Sequence, residues 1–311
     1  MTQPSPRRFH PEAMQITRWL AADGWPHRAF AMPAEGLERG EIVFLGGRGD
    51  FFEKYLEAIA HWSSQGWHVR GFDWRGQGGS GTTHPGKYCH VADFAQLVDD
   101  LAGFCVSLPP PTGARVLVGH SMGGHILLRA LAERRVAPAG AVLLSPMLGI
   151  RAGRLGARSV NALAGIGRLP PLAHRPIWDG APRSNPGHLT ACPDRHADKL
   201  WWKAQTPEIA RGGPTWLWLA AAARSMRLVE QNLRRSPLAV PCLALTGARD
   251  RVVDNRAVRR IVGHMMATRL SEIPSGGHEL LRESDAARLM TFQEIDDFLA
   301  RIAKTAPCGE S

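Results

Sequence analysis

Residues 117–125 read Leu117-Val-Gly119-His-Ser121-Met-Gly123-Gly-His125 and contain G-x-S-x-G as Gly119-His120-Ser121-Met122-Gly123. A short apolar run, Ala114 to Val118, precedes the motif, and a helical pattern, Ile126 to Arg135, follows it. Strand, sharp turn, helix is the context that makes such a serine a nucleophile, because the turn lifts its Oγ clear of the strand end. The flanking glycines fit because a side chain at either position would clash inside the turn. The backbone N–H of Met122 then points at a carbonyl under attack, and the helix N-terminus adds positive partial charge there. The alternative is a plain strand–helix turn with a surface serine, since five-residue motifs recur by accident. The rest of the chain weighs against it.

Upstream, Gly40–Leu45 carries the apolar run Ile42-Val-Phe-Leu45 and ends in Gly46-Gly-Arg48-Gly49, which predicts a buried strand and a glycine-rich loop. Phe51–Gln65 has helical spacing, His68–Trp74 reads as the next strand, and Arg75–Gly81 as a glycine-rich turn. His90–Leu108 is helical, with Phe94, Leu97, Val98, Leu101 and Phe104 on one face. Downstream of the motif, Gly140–Leu148 is another strand. This alternation predicts a mostly parallel sheet covered by helices on both faces. It breaks after Leu148. Residues 150–236 hold five of the ten tryptophans, many prolines and no β-run. Regular order resumes at Pro241–Thr246, and a helix, strand, helix set then reaches Ala303.

The strand Cys242–Thr246 leads into Gly247-Ala-Arg-Asp250-Arg-Val-Val-Asp254. A triad acid belongs in a loop at the carboxyl end of such a strand, which places Asp250 there. Asp254 is better placed to cap the helix starting near Asn255. Leu270–Ile273 is a short strand, followed by Pro274-Ser-Gly-Gly-His278. A histidine in that loop can sit between Asp250 and Ser121. Position singles out His278 from thirteen histidines. His120 adjoins the serine with its side chain directed into the fold, His125 is a packing residue one turn on, and His264 sits on a helix. The order Ser…Asp…His is that of a nucleophile-elbow hydrolase. A serine hydroxyl is barely nucleophilic until a neutral imidazole takes its proton, and a carboxylate fixes the imidazole tautomer. Two backbone donors complete the site: the amides of Met122 and of Arg48, in the loop after the Ile42–Leu45 strand.

With these residues quoted, the chain resembles the α/β-hydrolase superfamily. More narrowly, it is similar to the group of bacterial lysophospholipase L2 and monoacylglycerol lipases, the serine aminopeptidase S33-type hydrolases. The resemblance spans roughly residues 28–300. It rests on Phe51–Tyr55, Phe72–Ser80, Gly119–Gly124, Gly212–Trp216 and Gly277–Leu281. It implies a nucleophile, acid and base at Ser121, Asp250 and His278. One departure is Gly46-Gly47 where family members often have His-Gly. Only a backbone N–H is needed there, so activity is not lost, but the pocket lining differs. The D-x-R-G-x-G-x-S segment, Asp73–Ser80, is shared by many hydrolases and reads as structural.

The resemblance also implies a division into a core, residues 1–149 and 237–311, and a helical cap, 150–236, inserted after strand six. The cap carries Trp178, Trp201, Trp202, Trp216 and Trp218, and a helix opened by Pro214 and running to Arg235. Two readings of it stay open. Its apolar stripe packs on the core with solvated arginines, or it forms an acyl slot with a basic rim. On the second reading Trp178, Trp202, Trp216 and Arg224 contact an ester or lipid substrate. The function expected is therefore a serine carboxylic ester hydrolase, with a small-ester esterase or S33-type peptidase as alternative and a non-catalytic scaffold behind both.

Bulk properties narrow the classes further. The 311 residues suffice for one large α/β domain with an insertion. The N-terminal stretch lacks an apolar core, so no secretory signal is expected, and the longest apolar run, Trp216–Ala223, is too short to span a bilayer. Cys89, Cys105, Cys192, Cys242 and Cys308 show no C-x-x-C spacing, which argues against a disulfide framework or a zinc site; no cofactor is expected. The net charge of +10 is spread along the chain without a dense basic run or a nucleic-acid motif. Nucleic acid is not an expected partner. Contact with an anionic membrane face, or an arginine-rich composition without functional meaning, accounts for the charge. The expected location is cytoplasmic, with peripheral contact at the inner membrane face.

Overall fold

The computed structural model describes residues 6–151, 165, 169–178 and 188–305. Cys308 and parts of 150–236 lie outside the described residues. Eight strands form one sheet: β1 (Gln15–Leu20), β2 (Pro26–Met32), β3 (Gly40–Leu45), β4 (Trp67–Phe72), β5 (Ala114–His120), β6 (Gly140–Leu144), β7 (Cys242–Gly247) and β8 (Thr268–Ile273). Their order is β1-β2-β4-β3-β5-β6-β7-β8. The hairpin β1–β2 is antiparallel and joins β4 antiparallel; every pairing from β4 to β8 is parallel.

Every residue of β3, β5, β6 and β7 is buried or nearly so. A strand covered on both faces reads as a continuous apolar run, which is why these four are plain in the sequence. Alternate residues serve opposite faces. Ile42, Phe44, Val116 and Val118 pack with α1 (Leu56–Ser64) and the last helix. Val43, Leu45 and Leu117 pack with α2 (Ala95–Ser107) and α3 (Met122–Ala132). The β1–β2 hairpin was not expected. β1 is an exposed edge strand whose residues lack a buried alternation, so its pattern carries little signal.

Between β6 and β7 lie α4 (Pro170–Ala173), α5 (Pro193–Gln205) and α6 (Trp216–Arg235); α7 (Asn255–Val262) and α8 (Asp285–Thr305) follow. Thr215, not Pro214, caps α6, its side chain accepting from the Trp218 N–H. The expected helix over 90–108 starts only at Ala95. Cys89 is held by backbone bonds to Gly213 and Thr215, which keeps the chain extended there. His264 lies in the turn after α7 rather than on a helix.

The β6–β7 segment is tied to the sheet layer by buried arginines. Arg211 donates to the carbonyls of Gly76, Gly78 and Gly81. Arg195 binds Glu57 through two bonds and also reaches Asp285 and the Glu283 carbonyl. Among the described residues no helix is long and apolar enough to cross a membrane. Trp62 of α1, fully buried against Phe44 and Phe292, anchors the second face of the sheet. Trp62→Ala is expected to cost about 3–5 kcal/mol of unfolding free energy. A denaturant titration checks this, and a loss below ~1 kcal/mol contradicts the packing described.

Candidate active site

The β5–α3 turn sets the serine. Ser121 has φ 53° and ψ −114°, a conformation a non-glycine residue holds only under constraint from its surroundings. Two glycines supply it. A Cβ on Gly119 would lie 2.7 Å from the backbone of Gly124, and one on Gly123 2.5 Å from the Leu45 and Gly46 carbonyls. Bonds from the Ser121 N–H to the Leu144 carbonyl and from the Met147 N–H to the Ser121 carbonyl fasten the turn to β6.

The three expected residues meet. His278 Nε2 lies 2.9 Å from Ser121 Oγ, and His278 Nδ1 lies 2.8 Å from Asp250 Oδ2. All three are buried. In the neutral tautomer the serine hydroxyl donates to Nε2 while Nδ1–H donates to the carboxylate. The other oxygen of Asp250 accepts from the Val252 and Val253 N–H groups at 2.7 and 3.0 Å. Burial opposes ionisation of Asp250, but His278 and these two donors outweigh it and hold the carboxyl below its ordinary range. Asp254 instead caps α7, accepting from the Arg256 N–H. His278 and Glu279 both donate their backbone N–H to the Leu189 carbonyl, which ties the histidine loop to the β6–β7 segment.

The loop after β3 leans over the serine. A Cβ on Gly47 would lie 3.1 Å from Ser121 Cβ. The Gly47 N–H is occupied by Asp50 and the Gly49 N–H by Gln77. Neither the Arg48 nor the Met122 N–H has an acceptor among the described residues. Gln77 joins the two sides, because its amide nitrogen also approaches Met122 Sδ at 3.9 Å. Below the loop, Asp50 accepts from Tyr55 Oη at 2.6 Å and from Lys54. His120 packs into this network, 2.9 Å from Tyr55 Oη, with Nε2 3.2 Å from the His278 carbonyl. Burial resists charge on Asp50, but Lys54 and His120 hold it well below the usual carboxylate range. His125 is a buried packing residue against Ser225, and burial lowers it to about 3.

The residues expected to meet a substrate divide. Trp178 lies beside Arg48, whose guanidinium is 5.5 Å from its ring centre and 5.8 Å from that of Trp218. Trp216 is half-buried at the start of α6, its N–H bonded to the Arg175 carbonyl. Trp202 is placed elsewhere. It packs into the core beside His10, at a ring separation of 5.0 Å, and its indole N–H donates to the Arg7 carbonyl. An indole so enclosed serves packing, which corrects its expected substrate role. Arg224 pairs with Asp93 at 2.7 Å at the start of α2, so its charge is already engaged. Sequence reasoning missed Gln77, which the D-x-R-G-x-G-x-S segment hides among structural residues. Asp73 and Ser80 of that segment do hold the β2 end, through Arg28.

A mostly parallel eight-stranded sheet with a strained serine elbow after β5, an acid after β7 and a histidine after β8 has the architecture of an α/β-hydrolase. The chain matches the family described as serine aminopeptidase, S33, over residues 37–285. It belongs to that family. It is 31% identical to lysophospholipase L2 of Escherichia coli K12, the match covering 91% of this chain and 86% of that protein. It is 26% identical to a monoacylglycerol lipase of Mycolicibacterium smegmatis, over 79% of this chain and 84% of that one. Among solved structures, a soluble variant of monoglyceride lipase from Saccharomyces cerevisiae, in complex with a substrate analog, shares the fold at TM-score 0.76 and 17% identity, covering 96% of this chain and 99% of that one.

The placement of Trp202 gives a direct expectation. Trp202→Ala is expected to lower stability by about 3–5 kcal/mol and to leave the dependence of hydrolysis on acyl length unchanged. A flattened acyl-length series in a variant of normal thermal stability would return Trp202 to the substrate pocket.

Proposed function

We propose that this protein is a serine esterase that cleaves the acyl ester of single-chain lipids, lysophospholipids or monoacylglycerols, through Ser121, His278 and Asp250. The observation that carries the reading is the buried hydrogen-bonded line Asp250–His278–Ser121, at 2.8 and 2.9 Å, in a chain whose relatives are named lysophospholipase L2 and monoacylglycerol lipase. In the reaction, His278 Nε2 takes the Ser121 proton as Oγ attacks the ester carbonyl. The Arg48 and Met122 N–H groups receive the oxyanion, each worth a few kcal/mol in the transition state. Collapse breaks the C–O bond, and the imidazolium returns its proton to the leaving alcohol. Water, deprotonated by the same imidazole, then attacks the acyl-enzyme and releases the fatty acid and free serine.

Residues 150–236 form the cap in this reading. Its support is the covering position of Trp178 and Trp218 around Arg48 and the Leu189 carbonyl on the histidine loop. Leu169, Trp178 and Leu200, all on this segment and 55%, 41% and 44% exposed, offer apolar contact to a lipid aggregate at a membrane face.

Ser121→Ala is expected to fold and to lose hydrolysis of p-nitrophenyl esters, and a fluorophosphonate is expected to label Ser121 alone. Each methylene added to the acyl chain is expected to raise kcat/KM about fourfold until the slot fills, from ~0.8 kcal/mol per buried methylene. A profile peaking at acetate, or led by aminoacyl amides, rejects the lipid reading in favour of a small-substrate esterase or peptidase.

Gln77 has a separate expectation, because it positions the donors without touching the substrate. Gln77→Ala is expected to lower kcat by about tenfold to a hundredfold with little change in KM, since small displacements of reacting groups cost that much. An unchanged kcat would remove Gln77 from the arrangement of the donors.

A further inference from the structure

We propose that Trp178 is a positioning residue for the oxyanion donor of the β3 loop: its indole, acting through the Arg48 side chain, holds that loop over Ser121. The proposal rests on the esterase reading and names the contact through which the β6–β7 segment acts on the chemistry.

The loop reads Gly46-Gly47-Arg48-Gly49, so three of its four residues bring no side chain with which to fix themselves. Glycine also has the most backbone freedom to lose on ordering. Two bonds tie the loop to the core. The Gly47 N–H donates to Asp50 at 2.8 Å, and the Gly49 N–H donates to Gln77. They lie on either side of the Arg48 N–H, which has no acceptor among the described residues. The one side chain left to anchor the loop is that of Arg48. Its guanidinium lies 5.5 Å from the Trp178 ring centre, 5.8 Å from that of Trp218 and 3.9 Å from Cys89 Sγ, and no carboxylate among the described residues pairs with it. Both tryptophans belong to the β6–β7 segment. Cys89 is bound to the same segment, donating its N–H to the Gly213 carbonyl and accepting from the Thr215 N–H. The glycine loop of the core is therefore anchored to that segment by its single side chain.

The two indoles differ in how firmly they are held. Trp218, in the first turn of α6, is 3% exposed and packs edge-on against Phe94 at a ring separation of 5.6 Å. Trp178 is 41% exposed. Its place is set by backbone. The Ile177 N–H donates to the Pro214 carbonyl at 2.8 Å, and Pro176 bridges Thr215 while Pro214 bridges Cys89. The Trp178 indole lies over Gly213, where a Cβ would come within 2.7 Å of Nε1. Three short extended runs thus lie side by side and carry Trp178 to Arg48. A guanidinium gains from each aromatic face it meets, and more where water is excluded. Loss of the Trp178 face loosens the only side-chain tether of the loop. A displaced donor stabilises the oxyanion less and leaves ground-state binding alone, so the loss falls on kcat.

The test uses p-nitrophenyl acetate, whose acyl chain is a single methyl group, together with hydrogen exchange at the Gly47 and Gly49 amides. Trp178→Leu is expected to lower kcat about tenfold with little change in KM, to speed exchange at both amides, and to leave the thermal midpoint close to that of the unaltered protein. Trp178→Phe keeps an aromatic face and is expected to restore most of kcat. Gly213→Ala changes neither the ring nor the guanidinium and is expected to repeat the loss by displacing the indole. Arg48→Gln keeps the backbone donor and is expected to show a similar loss, with no further loss when Trp178→Leu is added, because both act through one contact. An unchanged kcat in Trp178→Leu, a rise in KM in place of the fall in kcat, or losses that multiply in the double variant overturns the proposal. A protein that cleaves the acetate but no decanoyl lipid loses the lipid reading and leaves this test intact. If the unaltered protein cleaves no ester, the esterase reading falls and exchange alone decides: faster exchange in Trp178→Leu upholds the tether, and unchanged exchange overturns it.

Discussion

The left-handed backbone of Ser121 is the constraint from which the rest of the site follows. At φ 53° the serine leaves the strand pointing outward, and the chain must turn at once into α3. That is possible only where neighbouring backbone can come close without side chains between, as Gly119 and Gly123 allow. The same close approach brings the β3 loop over Ser121. The Arg48 and Met122 N–H groups on the two sides of that approach have no acceptor among the described residues. The strain is held by the sheet, whose central strands are buried on both faces and cannot relax toward the turn.

A second layer keeps the loops in register. The β3 loop, the histidine loop and the β6–β7 segment are irregular backbone, and each is fixed by buried polar groups rather than by a ladder. Asp50, Tyr55 and His120 run beneath the serine to the His278 carbonyl. Glu283 accepts from Gly277 and Ala191, and Arg282 and Arg195 connect the same region to α5. Removing one partner of such a network leaves an uncompensated buried charge, which is far more costly than the pair was stabilising. The high arginine content is thus partly structural. Arg28, Arg75, Arg195, Arg211 and Arg282 bind carboxylates or carbonyls.

The parallel strands and the three residues that meet at Ser121 were legible because each has a local signature. Doubly covered strands are unbroken apolar runs, and Ser121 and Asp250 each stand just after one, while His278 follows the partly exposed β8, all three in glycine-bearing segments. The edge hairpin β1–β2 was not legible, since Gln15–Leu20 has no buried alternation to read. Trp202 misled for a different reason. Aromatic content in a segment indicates burial but does not say against what, and Trp202 is buried against Arg7 and His10 of the N-terminal segment, far away in sequence. Gln77 bonds partners more than twenty residues distant, Gly49 and Met122, so no local pattern announces it.

In the proposed reaction Ser121, activated by His278, carries the acyl group between attack and hydrolysis. Acid quench within the first turnover of a p-nitrophenyl decanoate reaction, followed by proteolysis and mass spectrometry, reads that group directly. One decanoyl adduct is expected, on the peptide containing Ser121, and none when His278 is replaced by alanine. A decanoyl adduct on any other residue, or an adduct at Ser121 that forms equally fast without His278, would contradict it.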